Sequence, residues 1–126
     1  MSAARALPKI RFHGKYGLTT MVQVTYIEDD GTRRAVDVPV NLSLMEGAIL
    51  HSIPGIDGDC GGAGACGTCH VYVAPEWLEK LPPAGELERA MLDFVVDPHA
   101  SSRLACQITV TPDLDGIVVR TPSRQF

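Results

Sequence analysis

The stretch Asp59-Cys60-Gly61-Gly62-Ala63-Gly64-Ala65-Cys66-Gly67-Thr68-Cys69-His70 packs three of the chain's four cysteines into ten positions, separated almost entirely by glycine and alanine. The spacing reads as a metal-cluster loop. The fourth thiol, Cys106, stands in Arg103-Leu104-Ala105-Cys106-Gln107-Ile108 and completes the pattern C-x5-C-x2-C-x36-C. No other cysteine competes for these roles.

Three other uses of four cysteines fit less well. A disulfide framework belongs to secreted chains, and nothing in this sequence points to secretion. Structural zinc sites usually bring two C-x-x-C pairs, whereas this chain has one such pair, a preceding x5 gap and a distant single thiol. A catalytic thiol needs a base placed in space, and His70 is adjacent to Cys69 only along the chain. A 2Fe-2S cluster suits the loop. Four thiolates ligate its two irons, and the wrapping chain has to turn tightly while aiming amide N–H groups at the sulfurs. Gly61, Gly62, Gly64 and Gly67 permit such turns, because glycine accepts positive φ without steric cost. Cys60, Cys66, Cys69 and Cys106 are the expected metal ligands. A Rieske centre would use two histidines in place of two thiolates; with four cysteines available, His70 reads as a supporting residue of the cluster site and not as a ligand.

Outside the loop the chain reads as one α+β domain of 126 residues. Val22, Val24 and Tyr26 alternate with polar positions, Asp29-Asp30-Gly31 marks a hairpin turn, and Ala35-Val36-Asp37-Val38 continues the pairing. Ser43 and Glu46 form a capping box. It predicts a helix of about two turns with Leu44, Ala48 and Ile49 on one face, ending near Ser52. Gly47 weakens that helix by up to about 1 kcal/mol relative to alanine. After the loop come a strand at Val71-Tyr72-Val73, a one-turn helix begun by Pro75 with Trp77 in the core, and an amphipathic helix over 85–96. The exposed face of that last helix is expected to carry Glu86, Glu88, Arg89, Asp93 and Asp97. Strands are expected at 104–110 and 116–119, separated by a turn at Pro112.

Charge divides the chain. Residues 1–20 carry Arg5, Lys9, Arg11 and Lys15 with no acid, and show no strand or helix period, so they read as a basic, flexible N-terminal extension; the domain is expected to span 21–126. The net charge of −4 then leaves −8 on the body. An acidic body argues against nucleic acid and favours a partner with a basic docking face. No apolar run reaches the roughly 18 to 20 residues that span a bilayer, and no secretory signal is evident, so a monomeric cytoplasmic protein is expected, with the mitochondrial matrix as the lesser alternative.

The x5 gap between Cys60 and Cys66 resembles the adrenodoxin/putidaredoxin-type (vertebrate-type) branch of the 2Fe-2S ferredoxins, its putidaredoxin side most; plant-type ferredoxins have x4 there. The resemblance extends to Asp30-Gly31-Thr32-Arg33-Arg34, Ser43-Leu44-Met45, Cys69-His70-Val71-Tyr72-Val73, Ser102-Arg103-Leu104, Cys106-Gln107-Ile108 and Asp115-Gly116-Ile117-Val118-Val119, and so covers essentially 21–126. It implies a β-grasp fold: a mixed sheet with a main helix, short helices and a cluster-binding loop. It implies one 2Fe-2S cluster, with Gly61, Gly62, Gly64, Gly67 and His70 around it. It implies a non-enzymatic one-electron carrier between an FAD-containing, NAD(P)H-dependent ferredoxin reductase and a cytochrome P-450 monooxygenase. The docking residues that carry over are Asp59, Glu86, Glu88, Asp93 and the aromatic C-terminal Phe126. Leu87, Arg120 and Ser123 depart from the family's charges at their positions. Electron supply to iron-sulfur cluster assembly or to a ring-hydroxylating oxygenase is the alternative within electron transfer, and a redox-silent zinc or structural module the alternative outside it.

Overall fold

The computed structural model describes residues 9–13, 17–53, 69–95 and 97–122, with side chains from residue 19 onward. Among these residues, six strands form one sheet: β1 (Lys9–His13), β2 (Gly17–Ile27), β3 (Arg33–Pro39), β4 (His70–Val73), β5 (Ser102–Leu104) and β6 (Ile117–Arg120). They are accompanied, among the same described residues, by three helices, α1 (Leu44–Leu50), α2 (Pro75–Leu78) and α3 (Glu86–Leu92), with single 3-10 turns at Ala105–Gln107 and Pro112–Leu114. β2 is the organising strand. It pairs antiparallel with β1 and β3 and parallel with β6, and β4 then joins β6 to β5 through antiparallel ladders. This mixed sheet with α1 is the expected β-grasp arrangement.

The alternation in β2 is realised as burial: Val22, Val24 and Tyr26 are fully buried and Gln23 between them is exposed. The β2–β3 hairpin closes where it is expected. The Gly31 N–H donates to the Glu28 carbonyl, the Glu28 N–H donates to the Thr32 carbonyl, and the Asp30 carboxylate accepts from the Thr32 N–H. Gly31 has φ of 92°, the left-handed conformation that glycine tolerates in such three-residue loops.

The capping box at α1 is complete, with Ser43 Oγ accepting from the Glu46 N–H and Glu46 Oε1 accepting from the Ser43 N–H, both at 3.0 Å. Leu44, Met45, Gly47 and Ala48 are buried, whereas Ile49 is 53% exposed and does not join the inner face as expected. One hydrogen bond ties the helix to the sheet: buried Tyr26 donates from its hydroxyl to the Leu44 carbonyl at 2.7 Å. Tyr26→Phe keeps the ring and deletes only this bond, so it should lower stability by about 1 kcal/mol, read as a shifted urea midpoint at unchanged slope.

Three expectations differ from the structure. Strand pairing begins well before residue 21, with Lys9↔Met21 through His13↔Gly17 in register, so 9–13 and 17–20 are not an unpaired extension. Backbone ladders need no burial, and hence leave no apolar period to read. The expected helix over 85–96 stops at Leu92, where the Phe94 N–H turns back to the Met91 carbonyl; Asp97, at φ of 50°, then precedes Pro98, a position where the α conformation is disfavoured. The expected strand over 104–110 breaks after Leu104 into the turn Ala105–Gln107, and pairing returns only as the Ser43↔Thr109 bridge. Trp77 is buried and α2 starts at Pro75, as expected.

Candidate metal centre

The register of two strands brings distant cysteines together. In the antiparallel β4–β5 pair His70 stands opposite Leu104, so Cys69 and Ala105 extend the same ladder, and the Ala105 N–H donates to the Cys69 carbonyl at 2.9 Å. Cys106 is the next residue. Two cysteine-bearing segments, with 36 residues between Cys69 and Cys106, thus meet at one end of a strand pair. Cys69 is 1% exposed, and Cys106 is half-buried in its 3-10 turn, where Gln107 Nε2 donates to Cys106 Sγ at 3.4 Å. Cys60, Cys66, Gly61, Gly62, Gly64, Gly67 and Asp59 lie outside the described residues, as does Phe126. The donor chemistry present suits a thiolate-bound iron-sulfur group: a buried cysteine, a second cysteine on a turn, and an N–H donor directed at sulfur, the kind of contact that stabilises negative charge there.

His70 begins β4 directly after Cys69 and is fully buried. Its Nε2 lies 2.8 Å from Ser102 Oγ on the neighbouring strand, and that hydroxyl oxygen also accepts from the His99 N–H. The Tyr72 ring meets both imidazoles edge-on, His70 at 4.7 Å and His99 at 4.8 Å between centroids, and its hydroxyl donates to the Asp97 carbonyl. Burial is the main cause, with His99 adding to it, that lowers the His70 pKa to about 4, so the imidazole is neutral at pH 7. Its visible work is to lock β4 to β5 beside both thiols.

Glu88 is not on the exposed face of α3, and this corrects the expectation drawn from helical periodicity. It is 4% exposed. Its carboxylate accepts from Arg103 Nε at 2.7 Å, from Arg103 NH2 at 3.1 Å and from the Leu104 N–H at 2.9 Å, while Arg103 NH1 donates to the Pro82 carbonyl. The inner face of the helix runs through Glu88, Met91, Leu92 and Val95 and not through Leu87, which is 58% exposed. An acid can occupy that stripe because a bidentate guanidinium neutralises it. Sequence reasoning missed Arg103 and Gln107. The partner of Glu88 is fifteen residues away on a strand, and no local period signals such a pair. Glu86 and Asp93 are exposed, as expected from the polar face of this helix. Among the described residues, no helix is long and apolar enough to cross a membrane.

A family model described as "2Fe-2S iron-sulfur cluster binding domain" matches residues 27–111. Putidaredoxin of Pseudomonas putida is 50% identical over 107 residues, which are 84% of this chain and 100% of putidaredoxin. The crystal structure of a reduced putidaredoxin variant superposes with a TM-score of 0.81, covering 82% of this chain and 99% of that one at 50% identity. Putidaredoxin in its covalent complex with putidaredoxin reductase superposes with a TM-score of 0.79 at 50% identity, covering 81% of this chain and 99% of that one.

Proposed function

The chain belongs to the 2Fe-2S cluster-binding ferredoxin family, as an electron carrier of putidaredoxin type and not an enzyme, and on that premise we propose the circuit that it serves. It takes single electrons from an FAD-containing, NAD(P)H-dependent ferredoxin reductase and hands them to a cytochrome P-450 monooxygenase in a bacterial cytoplasm, working as a monomer. The likeness to a protein seen joined to its reductase supports the first partner. The resemblance to the putidaredoxin side of the family over the body of the chain supports the second.

The observation that carries the reading is the clasp between the Cys69 carbonyl and the Ala105 N–H, which holds two ligand segments at one place. Cys60, Cys66, Cys69 and Cys106 would hold the 2Fe-2S cluster, and Gly61, Gly62, Gly64 and Gly67 would let the backbone close around it. When bound, the cluster supplies reversible one-electron chemistry. The chain's own residues keep that site fixed: Gln107 donates to Cys106 Sγ, His70 and Ser102 join β4 to β5, and Glu88 grips the strand that leads into Cys106. The exposed acids Glu86 and Asp93, with Asp59, attract the basic faces of the two partners.

The test is reconstitution. The purified protein should be brown, with two irons and two sulfides per chain, and should be required for NAD(P)H-driven turnover by reductase and P-450 candidates encoded near it. A carrier that accepts electrons from the reductase while supporting no P-450 would shift the acceptor to cluster assembly or a ring-hydroxylating oxygenase. A colourless zinc protein would end the reading altogether. Asp59→Asn and Asp93→Asn should each slow transfer at low ionic strength by about two- to threefold and flatten its salt dependence, leaving the visible spectrum unchanged. Stopped-flow rates across a salt series check this, and unchanged rates with both partners would remove these acids from the docking face.

A further inference from the structure

We propose that residues 1–8, which precede β1, pair as an added strand with the segment 109–111 and fill the cleft between that segment and the stretch 80–85. The proposal is independent of which partners the carrier serves. The cleft has a volume of about 410 Å³, with Leu81, Pro83, Ile108 and Leu114 in its lining. One wall is an extended segment bonded along one side only. On that side the Leu44 N–H donates to the Ile108 carbonyl, the Val110 N–H to the Leu42 carbonyl and the Asn41 N–H to the Val110 carbonyl. Main-chain groups alternate in direction along such a segment, so both groups of Thr109 and the N–H of Thr111 turn toward the cleft that these residues line. They meet no hydrogen-bond partner among the described residues. Across the cleft, Pro82 and Pro83 carry no N–H, and the Pro82 carbonyl is engaged by Arg103. A donor, an acceptor and a second donor in a row along one edge are the complement of an extended peptide.

The start of β1 argues for which peptide that is. Met21 pairs with Pro39 on one side and with Lys9 on the other, so β1 and β6 share one edge of β2. Two residues along β2, Gln23 donates from its N–H to the Asp115 carboxylate and accepts at its carbonyl from the Gly116 N–H. The chain therefore enters Lys9 beside Asp115, close in sequence to Asp113 and Leu114 of the cleft lining. Eight extended residues reach about 26–29 Å, and the path from Asp113 back to Thr109 needs only roughly 13 Å. Residues 2–6 are small apart from Arg5, and within 2–8 only Pro8 lacks an N–H. Arg5, the one charged side chain of the segment, complements exposed Asp113.

Entering in that direction, the segment runs parallel to 109–111. The Thr109 N–H would donate to one carbonyl, its own carbonyl would accept from an N–H two residues on, and the Thr111 N–H would donate to the carbonyl of that second residue. A second copy of the chain is a poor occupant, because its own 109–111 edge stands behind its own stretch 80–85. Putidaredoxin is matched over its whole length by 107 residues of this chain, and the resemblance begins near residue 21, so the segment is an addition to a fold that stands without it. The braced strand continues from Gln107, whose Nε2 donates to Cys106 Sγ, so the addition steadies a ligand segment from outside the cluster loop.

The experiment compares amide hydrogen exchange, read residue by residue by mass spectrometry, in the full holoprotein and in a variant lacking residues 2–8. The Thr109 and Thr111 amides should exchange about fivefold more slowly in the full chain, the effect of one hydrogen bond each. A synthetic peptide of residues 2–8 should restore that protection to the deletion variant. In the full chain R5E should lose part of it, and R5E/D113R should regain it. Equal exchange of Thr109 and Thr111 in the full and shortened proteins, with the β2 and β3 amides protected alike in both, would overturn the proposal. If the deletion loosens the sheet, the R5E and R5E/D113R proteins, whose backbone is whole, decide instead, and exchange unchanged in both would overturn it. Protection that survives the deletion and grows with protein concentration would give the edge to a second copy, and protection that appears only with added putidaredoxin reductase would give it to a partner; either result overturns the proposal.

Discussion

Glu88→Ala is expected to lower the melting temperature of the holoprotein by on the order of 10 to 20 °C, the consequence of about 3–5 kcal/mol lost on a domain of this size. Glu88 looks replaceable on a helix whose neighbours Glu86, Leu87 and Arg89 are exposed, yet its carboxylate is buried and accepts from Arg103 twice and from the Leu104 N–H once. Removing it leaves the guanidinium of Arg103, a residue 7% exposed, with the Pro82 carbonyl as its remaining partner among the described residues, and leaves a backbone donor without its acceptor. The uncompensated buried charge dominates the cost. The paired variant E88L/R103L distinguishes charge from volume. If the penalty comes from the orphaned guanidinium, the double change recovers much of the lost stability. Calorimetry on the three proteins decides it, and a single-variant loss below about 1 kcal/mol would mean that the pair behaves like a surface ion pair. The strand that Glu88 holds leads into Cys106, so the cluster absorbance of Glu88→Ala should also bleach faster on mild heating.

Gly47→Ala should destabilise, against what helix propensity alone gives. Propensity favours alanine by about 1 kcal/mol at an interior helical position. A Cβ at Gly47, however, would stand 2.8 Å from both γ-methyls of Val38 and 3.0 Å from the Tyr26 hydroxyl. Val38 on β3 and Tyr26 on β2 are fully buried side chains of the core, so neither can move aside into solvent. The helix would have to lift off the sheet, straining the bond from Tyr26 to the Leu44 carbonyl. Overpacking of this kind costs about 1–3 kcal/mol and exceeds the propensity gain. Urea titration gives the sign directly, and a raised midpoint would show that α1 has room to move.

Much of this protein is legible in residue order, because the relevant physics is local. The Ser43–Glu46 box, the Asp30–Gly31 turn, the proline start of α2 and the two-residue period of β2 are each decided within a few positions. The cysteine spacing likewise points to a 2Fe-2S family, and the family likeness bears that out. Where reading by pattern went astray, the deciding interaction crossed the sheet. Glu88 lies on the inner face and not on the expected outer one because Arg103 lies opposite the helix. The apolar run after Leu104 looked like one strand, but the Ala105 N–H is bonded to the Cys69 carbonyl and the chain turns there. The pairing of 9–13 with 17–21 rests on backbone bonds that carry no side-chain signature.

By itself, then, the sequence determined the chemistry: four thiols at a cluster's spacing, an acidic body, and an α+β order of elements. Those are properties of residue identity and short range. Only the tertiary structure decided how the segments of Cys69 and Cys106 meet, why Gly47 has to lack a side chain, and which face of α3 turns inward. Each of these depends on what packs across from a residue, and that is a matter of strand register and helix rotation, which composition and spacing do not contain.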